Sequence, residues 1–206
     1  MYIPSYYLQS NESELIDFMK SFNFASLISS TNDNIRATHL PFVIEQRAEK
    51  LFLLSHLAKA NQQWNDFFEK ELLVIFQGPH GYVSPSHYEK QQNVPTWNYI
   101  AVHAYGKAAI IDNETAVIKL MEKMITSFES GFMQQWNTLS TDYKMAMLKG
   151  IVAFEIEVTK LEGKFKLSQN KTKKEQENIA IHFSNSSNQN EKELSKQMQK
   201  NIQKKD

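Results

Sequence analysis

In the stretch VPTWNYIAVHAYG, Val94 to Gly106, apolar and polar positions alternate with the two-residue period of a strand. Ile100, Val102 and Ala104 make one face, and it is apolar. Tyr99, Ala101, His103 and Tyr105 make the other, where rings mix with hydrogen-bonding groups that a sealed core rarely carries. Pro95 and Trp97 precede the alternation, so an irregular segment delivers a large aromatic beside the start of a strand that runs to about Ile111.

FASLISS and IRATHLPFVIE flank the polar TNDN, which predicts a hairpin. KLFLLSHL predicts a strand ending at Ser55 or His56, AKANQQWNDFF a short helix, and ELLVIFQG a buried strand. GIVAFEIEVTKLEGKFKLS returns to strand alternation. A first helix, capped by Ser10 or Asn11 with Glu14 placed for a capping box, has Leu15, Ile16, Phe18, Met19 and Phe22 on its stripe. DNETAVIKLMEKMITSFE sets Val117, Leu120, Met121 and Met124 on one side, behind a cap at Asp112 or Asn113. A further helical stretch lies near Tyr143 to Lys149. Residues 1–170 thus predict one α+β domain, mainly β, with six or more antiparallel strands, most simply a closed or split β-barrel with flanking helices. Residues 171–206 read as a polar, Lys-rich tail, disordered or holding a weak helix from Glu191 to Ile202.

Composition narrows the function. The 206 residues carry 23 basic and 23 acidic side chains, so the net charge is zero, which argues against a broad nucleic-acid-gripping surface. No cysteine is present, which excludes disulfides, thiolate catalysis and Cys-ligated metals. The N-terminus lacks the basic and apolar regions of a signal peptide, and no apolar run is long enough to span a membrane, so a cytoplasmic protein without a membrane partner is expected.

Standard catalytic and nucleotide motifs are missing: there is no GxGxxG, P-loop, HExxH or GxSxG. The six histidines form no standard metal pattern, so neither a metal site nor a catalytic group is assigned. What recurs is a polar cluster at each strand end. RATHLP supplies Arg36, Thr38 and His39; LSHLAKANQQW supplies Ser55, His56, Lys59, Asn61 and Trp64; FQGPHGYVSPSHY supplies Gln77, His80, Tyr82, Ser84 and Ser86. Such donors suit a phosphate and the edge of a polar heterocycle, and aromatics suit its faces. KLSQN, Lys166 to Asn170, reads equally as a strand end or as a second polar clamp with Lys166 facing an anion.

MYIPSYY, ATHLPF, VIFQGPHGYVSPSHY, VPTWNYIAVHAYG, GIVAFEIEV and KLSQN, in this order and spacing, together resemble the PaiB family of FMN-binding negative transcriptional regulators, from Met1 to about Asn170. That family is related to pyridoxamine-phosphate-oxidase-like flavoproteins. The resemblance implies an FMN-binding split barrel, paired as a homodimer with FMN in clefts between subunits. It places Arg36, Thr38 and His39 near the flavin or its ribityl phosphate, and Ser55, His56 and Asn61 at phosphate and ring. Asn61 takes a place where the related oxidases carry a basic residue, with Lys59 nearby to compensate. Gln77, Tyr82 and Ser84 would reach the site from the following strands, and Trp97, Asn98 and Tyr99 would approach the flavin of the partner subunit.

The leading functional expectation is therefore a repressor-type regulator that binds FMN, with promoter DNA as its partner. Support in the residues for DNA contact is thin: no helix-turn-helix stands out, although the tail lysines can form a basic arm. The alternative is an FMN-dependent oxidoreductase, a flavin reductase or oxidase acting on a small molecule. A structural dimer without cofactor ranks third.

Overall fold

The structure, a computed structural model, describes residues 1–31, 34–68 and 70–204. Its strands are β1 (Leu8–Gln9), β2 (Phe24–Thr31), β3 (Asn34–Pro41), β4 (Val43–Arg47), β5 (Lys50–Ala58), β6 (Glu71–Val83), β7 (Thr96–Ile111) and β8 (Ile151–Lys166). They form one sheet in the order β3-β2-β6-β7-β8-β5-β4, with β1 on β8. The helices are α1 (Glu12–Ser21), α2 (Glu114–Glu129), α3 (Phe132–Thr138), α4 (Thr141–Leu148), α5 (Lys173–Ser184) and α6 (Gln189–Gln203). Among the described residues no helix is long and apolar enough to cross a membrane. The chain divides into two interleaved compact units, one of residues 1–15, 77–102 and 162–206, the other of residues 16–76 and 103–161.

In the second unit the expected hairpin forms, with Thr38 opposite Leu27 and Arg36 opposite Ser29; the centre of its turn, Asn32 and Asp33, lies outside the described residues. β2 also pairs with β6, and β5 joins β4 to β8, all antiparallel. Phe42, Phe76, Phe154 and Phe67 meet edge to face inside this unit, with centroids 4.8–6.3 Å apart. α2 starts at Asn113, whose side chain accepts from the Ala116 N–H, and its stripe does what the spacing predicts. Leu120 and Met124 pack with Leu54 and Ala153, flanked by Val117 and Met121. α3 follows, and one buried residue, Trp136, anchors its two turns. The short helix expected in AKANQQWNDFF forms, as a 3₁₀ segment, Gln62–Phe67.

In the first unit, Asn11 caps α1 by accepting from the Glu14 N–H, but Glu14 does not complete the box. Its carboxylate turns instead to Gln9 and Lys204, and Gln9 takes the Asn11 N–H. The segment expected to be a tail is two packed helices. α5 opens with a full capping box: Thr172 accepts from the Glu175 N–H, and Glu175 reaches back to the Thr172 N–H. Ile179, Ala180 and Phe183 of α5 and Leu194 and Met198 of α6 are sealed from solvent. Each buried Ile, Leu, Phe or Met contributes about 1.5–3 kcal/mol, enough to order a segment whose composition is otherwise polar. Phe183 lies so close over β6 that a Cβ on Gly81 would come within 2.8 Å of its ring, so any larger residue there would have to displace that ring.

Candidate functional site

The predicted site residues fall into two clusters, one in each unit. In the second unit, strand alternation sorts them by face. Arg36 and Thr38 lie on the same side of β3, and the 3₁₀ segment supplies partners for both. Arg36 donates to Asp66 Oδ1 at 2.6 Å, and the hydroxyl of buried Ser29 donates to Asp66 Oδ2 at 2.7 Å. Thr38 donates to Gln63 Oε1 and accepts from Asn61 Nδ2. The Gln63 amide donates to Ser29 Oγ and to the carbonyls of Leu27 and Arg36. Burial pushes the Asp66 carboxyl up, but hydrogen bonds from Ser29 and Arg36 and the guanidinium charge outweigh it, and the group sits below its ordinary value. Asp66 is therefore an anion that fixes one edge of Arg36, while the Arg36 side chain remains 45% exposed. Lys59 is exposed beside Asn61, its backbone held at both ends by the Gly150 carbonyl and the Trp64 indole N–H.

The same alternation corrects the grouping of neighbours in sequence. His39 points to the face of β3 opposite Arg36 and Thr38, where Nδ1 meets Ser26 Oγ at 2.9 Å and the ring stacks on Phe24. Ser55 is fully buried and donates to the Pro41 carbonyl at 2.7 Å, so its hydroxyl holds the frame rather than facing a ligand. His56 turns the other way, with Nδ1 3.4 Å from Met124 Sδ, into a cavity under α2. Burial lowers its basicity, so the imidazole is biased toward neutral.

In the first unit the ring-bearing residues gather. Trp97 is 53% exposed, with Tyr82 edge-on at 5.9 Å and His80 at 6.1 Å. Lys166 holds this segment: its ammonium donates to Thr96 Oγ1 at 2.6 Å and to the Trp97 carbonyl at 2.5 Å, and lies over the Tyr7 ring. Burial first, then neighbouring Lys164, lowers the Lys166 pKa. Lys164 sits 5.3 Å over the Tyr99 ring. KLSQN is thus a strand end and a clamp on its own chain. Asn98 departs from expectation: it is fully buried, and its amide exchanges hydrogen bonds with Ser168, which removes it from any ligand-facing surface. Ser84 caps the turn Pro85–His87 by accepting from Ser86, while Gln77 is exposed on β6. Among the described residues no three His, Asp or Glu side chains group as metal ligands.

Sequence reading missed Ser29, Gln63 and Asp66, because QQWND reads as helix surface when only its spacing is considered. An N-cap signal was present: the Asn61 side chain accepts from the Gln63 N–H, and that cap starts the segment carrying both partners.

Each cluster, taken by itself, offers groups that suit one part of FMN. Arg36 and Lys59, both exposed cations, suit a phosphate. Exposed Trp97 and Tyr82 suit a flat ring system. Comparisons with known proteins agree. A family described as "Putative FMN-binding domain" matches residues 1–160. "Protease synthase and sporulation protein PAI 2" of Bacillus subtilis (strain 168) is 34% identical over 208 residues, covering 99% of each chain. Among solved structures, the flavocytochrome Anf3 of Azotobacter vinelandii superposes with TM-score 0.61 at 11% identity, covering 80% of this chain and 72% of that one. The FAD and heme binding protein of Mycobacterium smegmatis gives TM-score 0.59 at 13% identity, covering 78% and 73%. At such identities the likeness shows the fold alone, a split β-barrel with flanking helices. The family match and the full-length relative together show that the chain belongs to the FMN-binding family that includes PAI 2, the PaiB family its motifs resemble.

Proposed function

We propose that this protein is an FMN-binding negative regulator of gene expression that works as a homodimer. The observation that carries the reading is the end-to-end relationship to PAI 2, whose name ties that protein to protease synthesis and sporulation. In this reading Arg36, oriented by Asp66, and Lys59 receive the phosphate, while Thr38 and Asn61 keep the surrounding loop in place through Gln63. Trp97, steadied by Lys166, and Tyr82 cover the flavin of a second copy. FMN, when bound, supplies a ring that gains and loses electrons; the residues of this chain bind it, orient it and shield it from water. Regulation is then read out as occupancy of promoter DNA.

The test is a footprint on promoter DNA with FMN-loaded protein across a salt series. Protection that weakens as salt rises supports direct repression. No protection at low salt, together with bleaching of the flavin by NAD(P)H under anaerobic conditions, would shift the assignment to an oxidoreductase.

A further inference from the structure

Within the unit of residues 16–76 and 103–161, α2, α3 and α4 close over the ends of β3 and β5 to leave a cavity of about 470 Å³. Met121, Met124, Ile125, Phe132, Trp136 and Met147 supply most of its wall. That volume lies within the range of small-molecule pockets, and is about three times the ~150 Å³ void that suffices for benzene. Three thioethers in the wall adapt to irregular shapes and meet aromatic edges favourably. At the mouth, Phe128 is 44% and Met147 57% exposed, apolar area that an occupant would remove from water.

The polar lining sets the ligand's chemistry. It consists of His56, half-buried and biased toward the neutral form, and Glu129 at the exposed rim. Among the described residues no lysine or arginine lines the cavity; the Lys144 ammonium lies 4.8 Å over the ring of the wall residue Trp136, and Glu129 opposes an anion. FMN does not fit this chemistry. Three helices border the cavity and leave it open to solvent beside Phe128 and Met147.

We propose that this cavity is a second binding site, separate from that for FMN, for an uncharged, mostly apolar molecule of about two fused or linked rings, with one group hydrogen-bonded to His56. The inference stands apart from the regulatory reading, since it depends only on the shape and lining of this unit.

The probe is N-phenyl-1-naphthylamine, a neutral two-part aromatic amine, titrated into the full chain loaded with FMN. Saturable fluorescence at one probe per chain is expected, with quenching of tryptophan emission. Met147→Trp, which fills the mouth from an exposed position, weakens binding at least tenfold, while Ile181→Trp, exposed in the other unit, leaves it unchanged. Thermal melting establishes that both variants fold. Non-saturable fluorescence, equal binding by the Met147 and Ile181 variants, or displacement of the probe by excess FMN would each overturn the proposal. The tryptophan quenching tests the parent protein alone, so a misfolded variant does not leave the proposal without a result.

Discussion

The two clusters of predicted site residues solve opposite problems. Around Asp66 the side chains are buried or half-buried and bonded to one another, so geometry is set before any ligand arrives. Around Trp97 the rings stand in solvent, and order comes from beneath, where Lys166 ties the backbone of the aromatic segment to Thr96. The first arrangement is suited to a charge, which rewards fixed donors. The second is suited to a flat surface, which rewards area left open for contact. One protein thus prepares a polar grip by internal satisfaction and an apolar one by exposure.

The largest effect that can break this contrast is expected at Asp66. Asp66→Ala leaves the Ser29 hydroxyl and the Arg36 guanidinium without their shared acceptor, at a cost of about 1–3 kcal/mol in urea unfolding. Flavin affinity should fall with it, since Arg36 loses its orientation. Stability unchanged within error would show that the network is not preorganised. Acid sharpens the same point. The folded pKa of Asp66 is below its unfolded value of 3.8, so its stabilisation is present above that value and is lost as pH falls through the lower folded one. Asp66→Asn should flatten that part of the unfolding profile; a profile identical to the parent's would contradict the assignment.

Trp97 comes next. Trp97→Ala should weaken FMN binding by about two- to twelvefold, the worth of about 0.5–1.5 kcal/mol of ring contact, with stability moved by less than about 0.5 kcal/mol because the side chain is exposed. Trp136→Ala, at a buried position on α3, should do the reverse, lowering stability while retaining flavin better. Equal flavin retention in the two variants, read from absorbance after desalting, would remove Trp97 from the site. The smallest effect belongs to Lys59→Met: a few-fold loss of FMN affinity that fades as salt is raised, as for any exposed charge. A loss that persists at high salt would mean that Lys59 acts by packing.

Much of the frame is legible in the residues because its elements carry strong periods. The alternation through Ile100, Val102 and Ala104 predicts a sealed strand face, and all three are buried. The α2 stripe predicts its packing with Leu54 and Ala153. The end of the chain is harder to read, since lysines and asparagines dilute the i, i+3, i+4, i+7 pattern of Gln176, Ile179, Ala180 and Phe183. There the Thr172-to-Glu175 spacing was the stronger signal. Within the candidate site, residue types were legible but directions were not. Adjacent polar residues such as Thr38 and His39, or Ser55 and His56, look like clusters along the chain, yet a strand sends successive side chains to opposite faces. Asp66 and Gln63 were hidden for a related reason: their partners lie more than twenty residues away in sequence.

The central claim, that this chain holds FMN, is tested most directly by titrating the purified, flavin-stripped protein with FMN and following absorbance after gel filtration. The account predicts a flavin spectrum that co-elutes with the protein and saturates at one FMN per chain. A colourless protein fraction at every FMN concentration would contradict it.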